Sequence, residues 1–136
     1  MMNKILVAYD GSESAKRALD EAAKLSHDDG TVTIVSVAEE LPQFGRAAGM
    51  LVPEEHEERR RELREAKTML AERGIAAEVV ERRGDAATMI LDEAEKEGVE
   101  LIVMGTRGLG SGKRWLLGSV STKVLHHARS NVLVVR

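Results

Sequence analysis

Short runs of aliphatic and β-branched residues alternate along this chain with longer segments whose apolar residues recur at three-and-four spacing. That rhythm constrains the fold more than any single motif. Strands alternating with helices bury both faces of a sheet only when the strands run parallel and right-handed crossover helices cover each side. The run ILVAY at 5–9 is apolar without alternation and ends at Asp10-Gly11-Ser12, as a strand buried on both faces should. Ala15, Ala18, Leu19, Ala22 and Ala23 then mark the inward stripe of a helix, with Lys16, Arg17, Asp20 and Glu21 outside. Asp28-Asp29-Gly30 is expected to end that helix, with Gly30 in the left-handed conformation.

The unit recurs. Residues 31–37 (TVTIVSV) read as a second strand, and residues 53–73 as a charged helix with Leu63, Ala66 and Leu70 inward and Gly74 closing it. A third strand is expected at 76–81. Asp85 caps a third helix carrying Ala87, Ile90, Leu91 and Ala94 on its inner face, and Gly98 ends it. A fourth strand at 100–104, a fourth helix at 118–128 with Val120, Val124 and Ala128 on one face, and a fifth strand at 131–135 complete the pattern. The fold class expected is α/β, a five-stranded parallel sheet of order 3-2-1-4-5 with helices on both faces, Rossmann-like.

A chain of 136 residues fits one domain, 1–136, with no linker that would separate two. Lys and Arg number 20 against 23 Asp and Glu, a net charge of -3, which disfavours a nucleic-acid partner. The three aromatics, Tyr9, Phe44 and Trp115, do not interleave with basic residues as single-stranded nucleic acid requires. The chain has no Cys, so thiolate metal sites and a Cys nucleophile are excluded and a reducing compartment is favoured. The apolar stretch after Lys4 is too short for a signal segment or a membrane span. A cytoplasmic protein without membrane contact is expected.

Two connections, 38–52 and 105–117, are long for such units, and long loops in compact domains are often functional. In open parallel sheets, ligands sit beyond the carboxyl ends of strands where the strand order reverses. With order 3-2-1-4-5, the first and fourth strands are neighbours, so Asp10-Gly11-Ser12 and Gly105-Thr106-Arg107-Gly108 line one crevice. Gly105, Gly108, Gly110 and Gly112 are followed by Gly118-Ser119-Val120-Ser121 at a helix start. Backbone N–H groups of such a loop and of a helix N-terminus suit phosphate, with Arg107, Lys113 and Arg114 able to neutralise further charge. A Walker loop is absent, because Arg107 stands where its first Gly is needed and Arg114 where Ser or Thr is needed. The dinucleotide fingerprint is absent too.

Gly105-x2-Gly108-x9-Gly118-Ser119 resembles, in full register, the Gly-x2-Gly-x9-Gly-Ser/Thr nucleotide motif of the universal stress protein family. KILVAYDGSESAKRAL at the start, LIVMGTRGLG before the loop, GSVSTKVLHHA after it and VLVVR at the end extend the resemblance along the chain. It implies an ATP-binding member, with ADP or AMP as alternative occupants and a divalent ion, Mg or Mn, held through the phosphates. It also implies roles for residues. Asp10 would sit beside base and ribose, the backbone of Val37 would read the adenine edge, and Met104 and Gly105 would floor the pocket. Arg107, Gly108, Gly118, Ser119, Val120 and Ser121 would surround ribose and phosphates. Ala8, where some ATP binders of the family carry Pro, belongs to the same pocket.

The residues themselves leave rival readings. Glycines of the loop also serve simple turns, and Asp10, Ser119 and Ser121 also suit helix caps. His126 and His127 are adjacent, so on a helix they point about 100° apart and do not share a ligand. No Glu or His in the loop suits activation of water at a γ-phosphate. The reading is therefore a nucleotide-dependent sensor or regulator with no catalytic residue and no protein-held metal. A slow ATPase and a dimeric interaction protein without nucleotide are the alternatives. An ATP-pyrophosphatase would need a Ser-Gly-Gly-x-Asp-Ser loop where Asp10-Gly11-Ser12-Glu13 stands. The last strand, Val132, Leu133, Val134 and Val135, is an apolar edge without a guarding charge before Arg136, which suits pairing with a second copy; the resemblance also implies a homodimer. A further protein partner is left unidentified.

Overall fold

A computed structural model describes residues 1–39, 53–106 and 117–136. The connection 40–52 and residues 107–116, including Arg107, Gly108, Lys113, Arg114 and Trp115, lie outside them. Five strands and four helices alternate: β1 (Met2–Ala8), α1 (Glu13–Leu25), β2 (Ser26–Ala38), α2 (Pro53–Glu72), β3 (Ala76–Arg83), α3 (Ala86–Glu97), β4 (Leu101–Gly105), α4 (Leu117–His127) and β5 (Asn131–Val135). The sheet order is β3-β2-β1-β4-β5, and every neighbouring pair is parallel. This is the order expected from the sequence.

The continuous apolar runs are explained by the two layers. On one face of the sheet, Ile5, Val7, Val32, Ile34 and Val103 pack under Ala15, Ala18, Leu19 and Ala22 of α1 and Leu63, Ala66 and Leu70 of α2. On the other, Leu6, Ala8, Val35, Val37, Ile102 and Met104 meet Ala87, Ile90 and Ala94 of α3 and Val120 and Val124 of α4. A strand that alternates between two dry faces cannot show a polar period. Small residues fill the inner stripe of α1, so its axis lies close to the sheet; Leu91 and Ala128, expected inward, are only partly buried.

The end of α1 differs from expectation. The helix stops at Leu25, where the Ser26 N–H still donates to the Ala22 carbonyl, and residues 26–30 already belong to β2. Gly30 is buried and is not among the described glycines with positive φ, which are Gly11, Gly74, Gly84 and Gly98. Its reason is steric. A β-carbon there would stand 3.0 Å from the backbone oxygens of Met2, Asn3 and His27, so glycine permits a close crossing of main chains beside the irregular register of β1 and β2. Gly98 does end α3 in the left-handed conformation (φ 65°), and Gly74 (φ 76°) closes α2, as expected.

Asp85 caps α3: its Oδ2 accepts from the Thr88 N–H (3.0 Å) and from the Thr88 hydroxyl (2.7 Å). Those hydrogen bonds hold the Asp85 carboxyl below its ordinary value. Asp85→Ala is expected to cost about 1 kcal/mol in urea unfolding at neutral pH, the usual worth of such a cap. The difference from wild type should fade as pH falls through the lowered value, where the native carboxyl takes up its proton.

Candidate functional site

The strand order reverses between β1 and β4. From β1 the chain moves outward through β2 to β3, then crosses to β4 on the other side of β1 and continues to β5. The carboxyl ends of β1 and β4 therefore stand side by side at the reversal point, the place where open parallel sheets take their ligands. Register fixes what stands there. Ala8 pairs with Met104 on one side and Val35 on the other, and the Tyr9 N–H donates to the Val35 carbonyl at 2.8 Å. Carried two residues on, the same register sets Asp10 level with Val37 and Thr106.

Asp10 is 2 % exposed. Its Oδ1 accepts from the Ser12 N–H at 2.9 Å, which shapes the turn into α1, and its Oδ2 is buried with no hydrogen-bond partner among the described residues. Asp10 does not cap α1. Ser12 does so, through its hydroxyl, which accepts from the Ala15 N–H at 3.2 Å. A buried carboxyl oxygen without a donor costs about 1–3 kcal/mol, so an orphan at the reversal point of a parallel sheet is a place where a ligand hydroxyl or amine would recover free energy.

The first turn of α4 begins at Leu117, after the connection from β4. Gly118 and Ser119 are exposed; Val120 and Ser121 are buried. Ser121 Oγ donates to the Gly118 carbonyl at 3.2 Å and Thr122 Oγ1 to the same oxygen at 2.8 Å, so these hydroxyls brace the turn. Ser119 and Ser121 lie inside the helix, beyond the cap position. Among the described residues a β-carbon on Gly118 would meet nothing within 4 Å, and its φ is ordinary, so neither their packing nor backbone strain accounts for glycine there.

Gly105 is different. It lies on the α1 side of the sheet, and a β-carbon would fall 2.8 Å from both the carbonyl carbon and Cβ of Ser14. That glycine serves the approach of α1 to β4, while Met104, fully buried, faces α3 and α4 with Ala8 and Val37. The structure thus brings Ala8, Asp10, Val37, Met104 and Gly105 to one end of the sheet.

The inward positions expected for α2 were Leu63, Ala66 and Leu70, and two of its charged residues also reach the end of the sheet. Arg59 Nη1 reaches Ser36 Oγ at 3.5 Å, and the Glu62 carboxyl covers Gly11, where a β-carbon would lie 2.7 Å from Glu62 Cδ. The signal was present: Arg59, Glu62, Leu63, Ala66 and Leu70 follow the three-and-four spacing of the inner stripe. Gly11, with φ 81°, is required by its backbone, and its missing β-carbon leaves room for the Glu62 carboxyl.

Tyr9 is pushed up to about 12 by burial first, then by the negative field of Glu62, Glu65, Asp10 and Glu13. It is the single tyrosine of the chain, so ultraviolet titration reads it alone. Tyrosinate absorbance should stay low through pH 10, the ordinary value, and rise near 12. Over that interval the native phenol keeps a proton the unfolded chain has released, so stability falls with rising pH. Ionisation near pH 10 in the folded protein would contradict this packing.

The model of the universal stress protein family matches residues 1–136. The chain belongs to that family. Among curated universal stress proteins, YxiE of Bacillus subtilis is 37% identical over 148 residues, covering 100% of both chains. A universal stress protein structure from Burkholderia pseudomallei superposes with TM-score 0.76 at 33% identity, covering 98% of this chain and 95% of the other. The Archaeoglobus fulgidus universal stress protein solved in complex with dAMP superposes with TM-score 0.75 at 26% identity, covering 98% and 97%. As a universal stress protein it has the sheet order and helix placement of those folds. No described helix is long and apolar enough to cross a membrane, and no described group of three His, Cys, Asp or Glu suits a metal ion.

Proposed function

We propose that this universal stress protein binds ATP, or the related ADP or AMP, in the crevice between the end of β1 and the first turn of α4, and acts as a nucleotide-dependent sensor with little or no hydrolysis. The observation that carries the reading is Asp10: a 98 %-buried residue whose Oδ2 has no donor among the described residues, placed where the strand order reverses. A ribose hydroxyl or adenine amine supplies that donor. Gly118, whose β-carbon position no described residue approaches within 4 Å, and the N–H groups of the α4 first turn suit the phosphate chain. The relative solved with dAMP supports an adenine nucleotide as the class of ligand. In this reading Ala8, Val37, Met104 and Gly105 line the base side, and Arg107, Gly108, Gly118, Ser119, Val120 and Ser121 the ribose and phosphates. A divalent ion, Mg or Mn, would be held by the phosphates.

The test is twofold. Protein purified and denatured should release an adenine nucleotide, and calorimetry on the emptied protein should show saturable ATP binding that Asp10→Asn weakens at least about tenfold, or 1.4 kcal/mol. Absence of binding by ATP, ADP and AMP alike overturns the reading. Turnover at ordinary enzyme rates of about 1 per second or more would replace the sensor by an ATPase.

We also propose that 1–136 acts as one cytoplasmic domain and forms a homodimer through β5, whose Val132, Leu133, Val134 and Val135 are only partly buried at the sheet edge. A monomer by sedimentation at micromolar concentration would contradict the dimer.

A further inference from the structure

A second polar cluster lies under α3, on the face of the sheet away from α1 and α2, and the nucleotide reading does not use it. Glu93 and Glu97 are one helical turn apart on α3, so both carboxyls reach the β2–β3 edge of the sheet. Glu93 is 3% exposed, and its Oε1 takes a hydrogen bond from Arg82 Nη1 at 2.8 Å. Glu97 Oε1 accepts from the Thr33 hydroxyl at 2.6 Å, while its Oε2 is buried with no partner among the described residues. A carboxylate oxygen buried beside a second carboxylate is a costly arrangement; a carboxylic acid there is not, because its hydroxyl donates to the neighbour.

We propose that Glu93 and Glu97 hold one proton between them in the folded protein, and that this shared proton pins α3 to the β2–β3 edge of the sheet. Glu97 carries it on Oε2 and donates to Glu93, which stays ionised against Arg82. Every side chain then has a role: Thr33 gives to Glu97, Glu97 to Glu93, and Arg82 to Glu93 and Asp92 (2.9 Å).

The surrounding charges agree. From α3 come Asp92, Glu93 and Lys96; from β3, Glu78 and Arg82; from β1, Lys4, whose Nζ is committed to the Glu97 backbone carbonyl at 3.3 Å. Burial pushes the Glu97 carboxyl up, the neighbouring Glu93 and the charge of Glu78 add to it, and the Thr33 hydroxyl works against them. The neighbouring Glu97 as a proton donor, helped by Arg82 and Lys96, holds Glu93 down. A cavity of about 290 Å³ lined by Lys4, Thr31, Thr33, Glu78, Lys96 and Glu97 gives the pair a path for proton exchange with water. Loss of the proton leaves two carboxylates facing each other beneath α3. Its docking therefore weakens on the alkaline side of the ordinary glutamate range.

Carbon-13 titration of the Glu97 side-chain carboxyl in the whole protein reads the proton directly. Glu97 should remain protonated above the ordinary glutamate value of about 4.3, and Glu93→Gln should lower its titration point, since a neutral amide can donate in place of the proton. Urea midpoints measured in parallel should fall in wild type as pH rises from the ordinary glutamate value through the raised one, because over that interval the native state keeps a proton the unfolded chain has lost. Glu97→Gln, which copies the acid form, should remove at least half of that fall. A Glu97 carboxyl that titrates at or below the ordinary value overturns the proposal, as does a Glu97→Gln variant that keeps the full wild-type slope.

Discussion

Gly105→Ala is expected to lose about 3 kcal/mol or more of folding stability, the upper range for forcing a methyl group into a packed core. The added carbon would come within 2.8 Å of the Ser14 carbonyl carbon and Cβ, atoms of the α1 backbone and its first bond, which no rotamer change can move aside. Relief requires lifting the first turn of α1 from β4. That shift disturbs Ala15 and Ala18, which are fully buried, and the turn through Asp10 and Ser12. Urea unfolding measures the loss. A variant within about 0.5 kcal/mol of wild type, the range of ordinary surface changes, would contradict the packing of β4 against α1.

Gly118→Ala should behave in the opposite way. Its β-carbon meets none of the described residues within 4 Å and its φ is ordinary, so the free protein should gain up to about 1 kcal/mol from the better helix former or stay unchanged. Nucleotide affinity should nevertheless fall at least about tenfold, because the methyl group occupies the approach of the phosphate chain to the α4 backbone. The pair of measurements separates a glycine kept for a ligand from one kept for the fold. Gain of stability with unaltered ATP affinity would remove Gly118 from the proposed site.

The order of the sheet was legible because each strand and helix carries its period without interruption and because the crossover rule leaves few topologies. Caps at Asp85 and Gly98 were legible for a local reason: side-chain acceptors and left-handed turns act within a few residues. Gly30 misled for the converse reason. Three acidic and small residues in a row suggest a turn, whereas the constraint there is the distant backbone of Met2 and Asn3, invisible to any local window. Asp10 was assigned to the right loop, but its role as the acceptor that shapes the turn, with Ser12 as cap, depends on which of two adjacent oxygens faces the helix. Glu62 and Arg59 were overlooked because a charged residue on an inner stripe reads as solvated unless its tip is traced to a partner. Glu93 and Glu97 were hidden likewise, since helical spacing alone does not say that both point inward.

The central claim, an adenine nucleotide seated between the end of β1 and the first turn of α4, is tested most directly by titrating ATP into nitrogen-15-labelled protein and following each backbone amide. The expected result is saturable shifts concentrated at Asp10, Val37, Gly105, Gly118, Ser119, Val120 and Ser121. Shifts confined to the opposite end of the sheet, around Gly98, Val99 and Ser130, or none at millimolar ATP, would contradict it.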